Sequence, residues 1–159
     1  MEKKTTKKTF PAFGFQYMLA AIIAISVVEA ALAGFGVIPP VLSYSHVNIF
    51  FAFLRLAIVV YAGSEYAASG VARAALRGGA LFFASSLTLC VFVFASPSFA
   101  THPILGVFVF EGELPALLAI VIAENTLLGA AIAAVVAWLS RQKFFQKFFS
   151  SKKSESSKT

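Results

Sequence analysis

The chain has 159 residues, of which 59% are hydrophobic and only 13% charged, and it carries a net charge of +6. A soluble globular domain averages about 25% charged residues, and here every Lys falls in the first eight residues or after residue 142. This distribution excludes a nucleic-acid-binding face, which would need Lys and Arg striped over a folded surface, and it points to a membrane protein whose basic segments meet anionic lipid.

Residues 1–16 form a basic arm with Lys3, Lys4, Lys7 and Lys8. Four long apolar runs follow. A spanning helix needs about 20 such residues at about 1.5 Å rise each. The first run covers residues 17–38, is interrupted by Ser26 and Glu29, and stops at Pro39-Pro40. The second covers 47–69 and contains Arg55 and Glu65. The third, 78–96, begins after an Arg73/Arg77 turn and ends at Pro97. The fourth, 114–140, is broken only by Glu124-Asn125-Thr126. These runs predict an all-α fold, a four-helix transmembrane bundle.

Basic residues are retained on the cytoplasmic side. The N-terminal arm, the Arg73/Arg77 connection and the segment from Arg141 onward are basic, whereas Pro39–His46 and Pro97–Glu113 contain no Lys or Arg. Both termini are therefore expected to be cytoplasmic, and the chain is read as an integral protein of a prokaryotic cell membrane. Residues 141–149 place Phe144, Phe145, Phe148 and Phe149 opposite Lys143, Gln146 and Lys147 on a helical wheel, which predicts an amphipathic interfacial segment. The polar residues 150–159 are expected to be a disordered tail. A competing reading takes the Lys-rich arm, the apolar run and Ala31-Leu32-Ala33 as a cleaved signal peptide. The length of the run and Glu29 beside the cleavage position argue against it.

The charged residues inside the runs carry the functional expectation. Glu29 is ten residues before Pro39, Arg55 nine after His46, and Glu124 eleven after Glu113. Each lies about 13–16 Å from one boundary, in a layer with Asn125 and, on the third run, Ser86. A charge in hydrocarbon is costly, and Arg stays protonated, so Arg55 is expected to pair with Glu29 or Glu124. One carboxylate remains for ion or proton handling. The competing reading is that the same groups only lock helix register and packing.

His46, His102, Glu111 and Glu113 are candidates for an outer mouth, with the two histidines as possible haem ligands in a redox reading. Glu65 is expected to pair with Arg73 or Arg77. Ala119, Ala123, Thr126, Ala130, Ala134 and Ala137, with Gly129 and Ala133, form a small-residue stripe suited to close helix packing. Residues 104–110 are apolar and expected to dip into the interface or cover the bundle. Residues 57–72 echo 119–133, with Glu five residues before Gly in each, although Ala/Val/Ile-rich helices also align by chance.

The chain contains no Asp, a single Cys (Cys90), no phosphate-binding loop and no paired metal-ligand spacing. No catalytic residue, metal site or cofactor is assigned, and an enzyme is disfavoured. The expected function is a small ion-coupling or transport protein, or the ion-handling subunit of a larger membrane complex. The alternatives are a structural subunit of such a complex, including a respiratory one, or a haem- or quinone-binding redox subunit. Four helices enclose little volume, so a homo-oligomer or other membrane subunits are expected as partners.

Overall fold

The computed structural model describes residues 14–41, 45–96, 104–106 and 113–142. These residues form four α-helices: α1 (Phe15–Gly34), α2 (His46–Glu65), α3 (Val71–Ala95) and α4 (Leu114–Arg141), with a single 3-10 turn at Ala67–Ser69 between α2 and α3. All four are long and apolar enough to cross a membrane.

The helix ends follow local chemistry rather than the limits of the apolar runs. α1 stops before Pro39 because Gly36 adopts φ +70°, which a side chain disfavours. The Val37 amide then donates to Leu32 O (2.9 Å) and the Gly36 amide to Ala33 O (3.0 Å). This paired arrangement satisfies the last carbonyls of the helix. Ser45 opens α2, its hydroxyl accepting from the Asn48 amide at 3.2 Å. α3 begins seven residues earlier than the apolar run, so Arg73 and Arg77 are helical, not part of a turn. Hydropathy stops at a charge, but Ala, Leu and Arg are strong helix formers and carry the helix through. The α2–α3 turn is made instead at Gly70, with φ +116°. Pro115 sits in the first turn of α4, where its missing N–H costs nothing.

α3 lies at the centre of the packing. It packs most extensively on α4 and also contacts α1 and α2, and α2 touches all three other helices, whereas α1 and α4 make no contact among the described residues. The four helices thus form a diamond with α1 and α4 at its far corners. The α3–α4 seam is built from small residues. A Cβ on Gly78 would collide with Ala133 and the Gly129 carbonyl, and one on Gly129 would lie 2.6 Å from the Gly78 carbonyl. A Cβ on Gly63 of α2 would lie 2.9 Å from the Ala133 carbonyl. Such close approach supplies dispersion contacts, the attraction that small residues provide between helices suited to lipid. The predicted α4 stripe is buried at Gly129, Ala133 and Ala137, but Ala119 and Ala123 are exposed.

α1 turns Met18, Ile22, Ser26, Glu29, Ala30 and Ala33 inward, at three- and four-residue spacing. The core consists of Met18, Ile22, Val59, Ala62, Leu81 and Ala133. A second cluster joins Cys90, Val93, Leu114 and Leu118 to the buried Ile104 and Leu105. Those two residues cover the end of the bundle, tied down by the Val41 amide donating to Ile104 O at 2.7 Å. Residues 97–103 and 107–112 of this connection lie outside the described residues. Phe35, Phe53, Leu76, Phe94 and Leu127 face outward, an apolar exterior suited to lipid or to partner helices.

The echo between 57–72 and 119–133 does not correspond to a structural repeat. Gly70 is a left-handed turn residue, while Gly129 lies inside a helix at its tightest contact.

Candidate functional site

The buried polar groups centre on Arg55 and Glu29. Arg55 Nη1 lies 2.8 Å from Glu29 Oε2. Glu29 has 0% exposure and the Arg55 side chain 13%. The contact is a charge pairing rather than an aligned hydrogen bond, and the buried Glu29 Oε1 has no hydrogen-bond partner among the described residues. The pair joins α1 to α2. Beside it, the Ser26 hydroxyl donates to Ile22 O at 2.9 Å and stands 2.7 Å from the Ser85 hydroxyl. With the Ser26 proton directed to its own helix, Ser85 donates to Ser26, which ties α1 to α3.

On its other side Arg55 borders a cavity of about 490 Å³ between α2, α3 and α4. Its polar lining consists of Arg55, Ser85, Ser86 and Asn125, and its walls include Phe53, Leu56, Phe82, Val121 and Leu128. α2 and α4 are in contact where Gly63 meets Ala133 and Val136. Toward their other ends Phe53 and Leu56 of α2 and Val121 and Leu128 of α4 line the cavity. Phe53 and Leu128 are exposed, so the cavity opens to the outside of the bundle.

Three of its polar groups share a level. Arg55 is nine residues from the start of α2, Ser86 nine from the end of α3 and Asn125 eleven from the start of α4, which places each about 14–17 Å from the same end of the bundle. Ser86 is 2% exposed. Neither its hydroxyl nor the Asn125 carboxamide has a hydrogen-bond partner among the described residues, and Arg55 is paired there with the Glu29 carboxylate.

The sequence-derived candidates therefore separate. Glu29, Arg55, Ser86 and Asn125 are brought together, with Glu29 behind Arg55 rather than in the cavity. Glu124 is not: it is exposed on α4 and forms no ion pair among the described residues. The expectation that Glu124 faces Arg55 is corrected by one helical step, because Asn125 lies 100° further round and takes the inward position. The diamond arrangement explains the choice of partner, since Arg55 turns to the α1 side and meets Glu29.

His46 is exposed at the first position of α2, and Glu113 is exposed at the N-cap of α4 without a side-chain capping bond. His102 and Glu111 lie outside the described residues, as do residues 143–159 with the amphipathic and tail segments. Glu65 makes no ion pair among the described residues. Arg77 instead stacks on Tyr66, 3.7 Å from the ring centroid, and lies 5.3 Å from that of Phe15. Among the described residues these aromatic faces, not the expected carboxylate, receive the Arg77 guanidinium.

Asn48 escaped the sequence reading. Its side-chain amide donates to Pro40 O at 2.6 Å and pins the α1–α2 connection. The signal was available: an Asn in an otherwise apolar run needs a partner. Among the described residues no three His, Cys, Asp or Glu side chains converge as a metal site would require.

No family model, curated protein or solved structure matches the chain. Its fold and site define a small all-helical protein with four potential membrane spans, a buried ion pair and a polar-floored apolar cavity.

Proposed function

We propose that the protein is an ion- or proton-handling subunit of a membrane assembly, with both termini cytoplasmic and with Glu124 as the exchangeable carboxylate. The observation that carries this reading is the position of Glu124: ten residues into a 28-residue apolar helix, on its outer face. A charged carboxylate at the centre of a lipid-facing helix costs at least about 2.5 kcal/mol. Contact with a second copy or another subunit relieves that cost and gives the group a partner for exchange. Glu29 is engaged by Arg55, so the handling role falls to Glu124 alone. The orientation is supported by one end of the bundle, where Arg73, Arg77 and Arg141 lie with Tyr17, Tyr66 and Trp138. Basic residues and an aromatic belt at one boundary fit a cytoplasmic face bearing anionic lipid.

The competing reading, a purely structural subunit, draws on the same ion pair and small-residue seam. Two substitutions separate them in native membranes. Glu124→Gln keeps a hydrogen-bonding group and removes exchange, so it retains assembly size on native gels and loses proton-coupled flux in proteoliposomes. Glu124→Leu removes both and weakens assembly about tenfold, the value of one interhelical hydrogen bond in lipid. A protein that stays monomeric in native membranes, or whose Glu124→Gln variant moves protons normally, refutes the proposal.

A further inference from the structure

We propose that the cavity between α2, α3 and α4 is a binding site for a lipophile with an uncharged carbonyl head, of the quinone type. Four observations define the occupant. First, the floor is rich in donors. Arg55, Ser86 and Asn125, each carrying a hydrogen-bond donor, line one space, and the partner of Arg55 among the described residues is Glu29 behind it. Ser86 is 2% exposed, and a hydroxyl at the wall of an apolar cavity gains from an acceptor placed there. An acceptor head satisfies all three.

Second, the site carries no net charge, because Glu29 at 2.8 Å balances Arg55. An anionic head would add an unbalanced charge in low dielectric, whereas a neutral carbonyl does not. Third, the polar floor is deep. Arg55 is nine residues from one end of α2 and ten from the other, about 14 Å from either boundary of the hydrocarbon. The ester carbonyls of a glycerolipid stay at that boundary. A quinone, whose ring moves within the hydrocarbon, can present its carbonyl at this depth. Fourth, the aromatic residues Phe53 and Phe82 line the walls, a composition suited to a ring, and the opening past Leu128 gives a tail a path into lipid. A volume of about 490 Å³ falls in the range of small-molecule sites, which are mostly apolar with a few placed polar groups. The inference does not depend on Glu124 or on assembly.

The test is equilibrium binding of radiolabelled decyl-benzoquinone to the full-length protein in nanodiscs, with decylbenzene as the headless competitor. Saturable binding is expected, with decylbenzene at least tenfold weaker. The Ser86→Ala/Asn125→Leu variant raises the quinone Kd about tenfold or more, for two lost hydrogen bonds. Leu128→Trp, at the exposed mouth, blocks binding while leaving the core untouched, which keeps the test decisive if the double variant folds poorly. Equal competition by decylbenzene, or an unchanged Kd in both variants, overturns the proposal. So does a disulfide between two copies through Leu128→Cys in a Cys90→Ala background, which would give the cavity to a second copy of the chain.

Discussion

Breaking the Glu29–Arg55 pair from one side is expected to cost far more than removing it whole. At 2.8 Å and an effective dielectric of about 20, the attraction is about 6 kcal/mol. Most of that offsets the desolvation of two ions, so the net value of the intact pair is small. Arg55→Leu leaves the fully buried Glu29 without its counter-charge, which costs about 3–5 kcal/mol. Glu29→Leu does the same to Arg55, with a smaller loss, because a 13% exposed guanidinium can turn its donors to the cavity. The double variant Glu29→Leu/Arg55→Leu removes both charges and two desolvation costs, and is expected to recover to within about 1–2 kcal/mol of the native protein. The assay is reversible unfolding in bicelles, with the coupling free energy taken from the four-member cycle. Single-variant losses that simply add in the double variant would refute this account and show that the two residues are held apart or hydrated independently.

Two further outcomes follow from the packing. Gly78→Ala forces a methyl into Ala133 and the Gly129 carbonyl, both on a rigid neighbouring helix, and lowers stability by about 1–3 kcal/mol. Gly129→Ala meets the Gly78 carbonyl and Phe82 and behaves alike, as read by thermal unfolding in detergent. Adjacent serines are expected to differ: Ser85→Ala removes the donor to Ser26 and costs about 1 kcal/mol, whereas Ser86→Ala, whose hydroxyl borders the cavity without a partner, changes stability by less than about 0.5 kcal/mol. Equal losses at the two positions would show that Ser86 bonds within the protein.

The four helices were legible because composition in lipid is such a strong constraint: about twenty apolar residues have few other uses. The level shared by Arg55, Ser86 and Asn125 was also legible, since rise per residue is fixed. Rotation about each helix axis was not. On an amphipathic soluble helix the polar side marks solvent, but α1 and α4 are apolar nearly all round, so the sequence carries little information about which side faces in. This is why Glu124 was expected inside and Asn125 holds that place. Helix ends were misplaced for a related reason. Gly36 and Gly70 end or begin elements through backbone conformation, which hydropathy does not register. Arg77 found aromatic rings rather than Glu65 because stacking on Tyr66 depends on a three-dimensional neighbourhood that no sequence spacing announces.

The ion pair also bears on how the chain enters a membrane. α1 alone carries an uncompensated Glu29, and α2 alone an uncompensated Arg55, each a penalty of at least about 2.5 kcal/mol for a separately inserted span. They are consecutive, joined by a short connection that Asn48 pins through Pro40. Inserted together as a hairpin, Glu29 and Arg55 would neutralise each other, leaving Glu65 at the end of α2. α3 and α4 carry no such buried opposite pair and adhere through glycine instead. The two sequence-adjacent helix pairs are therefore joined by different means, α1 and α2 through a buried ion pair and α3 and α4 through small-residue contact.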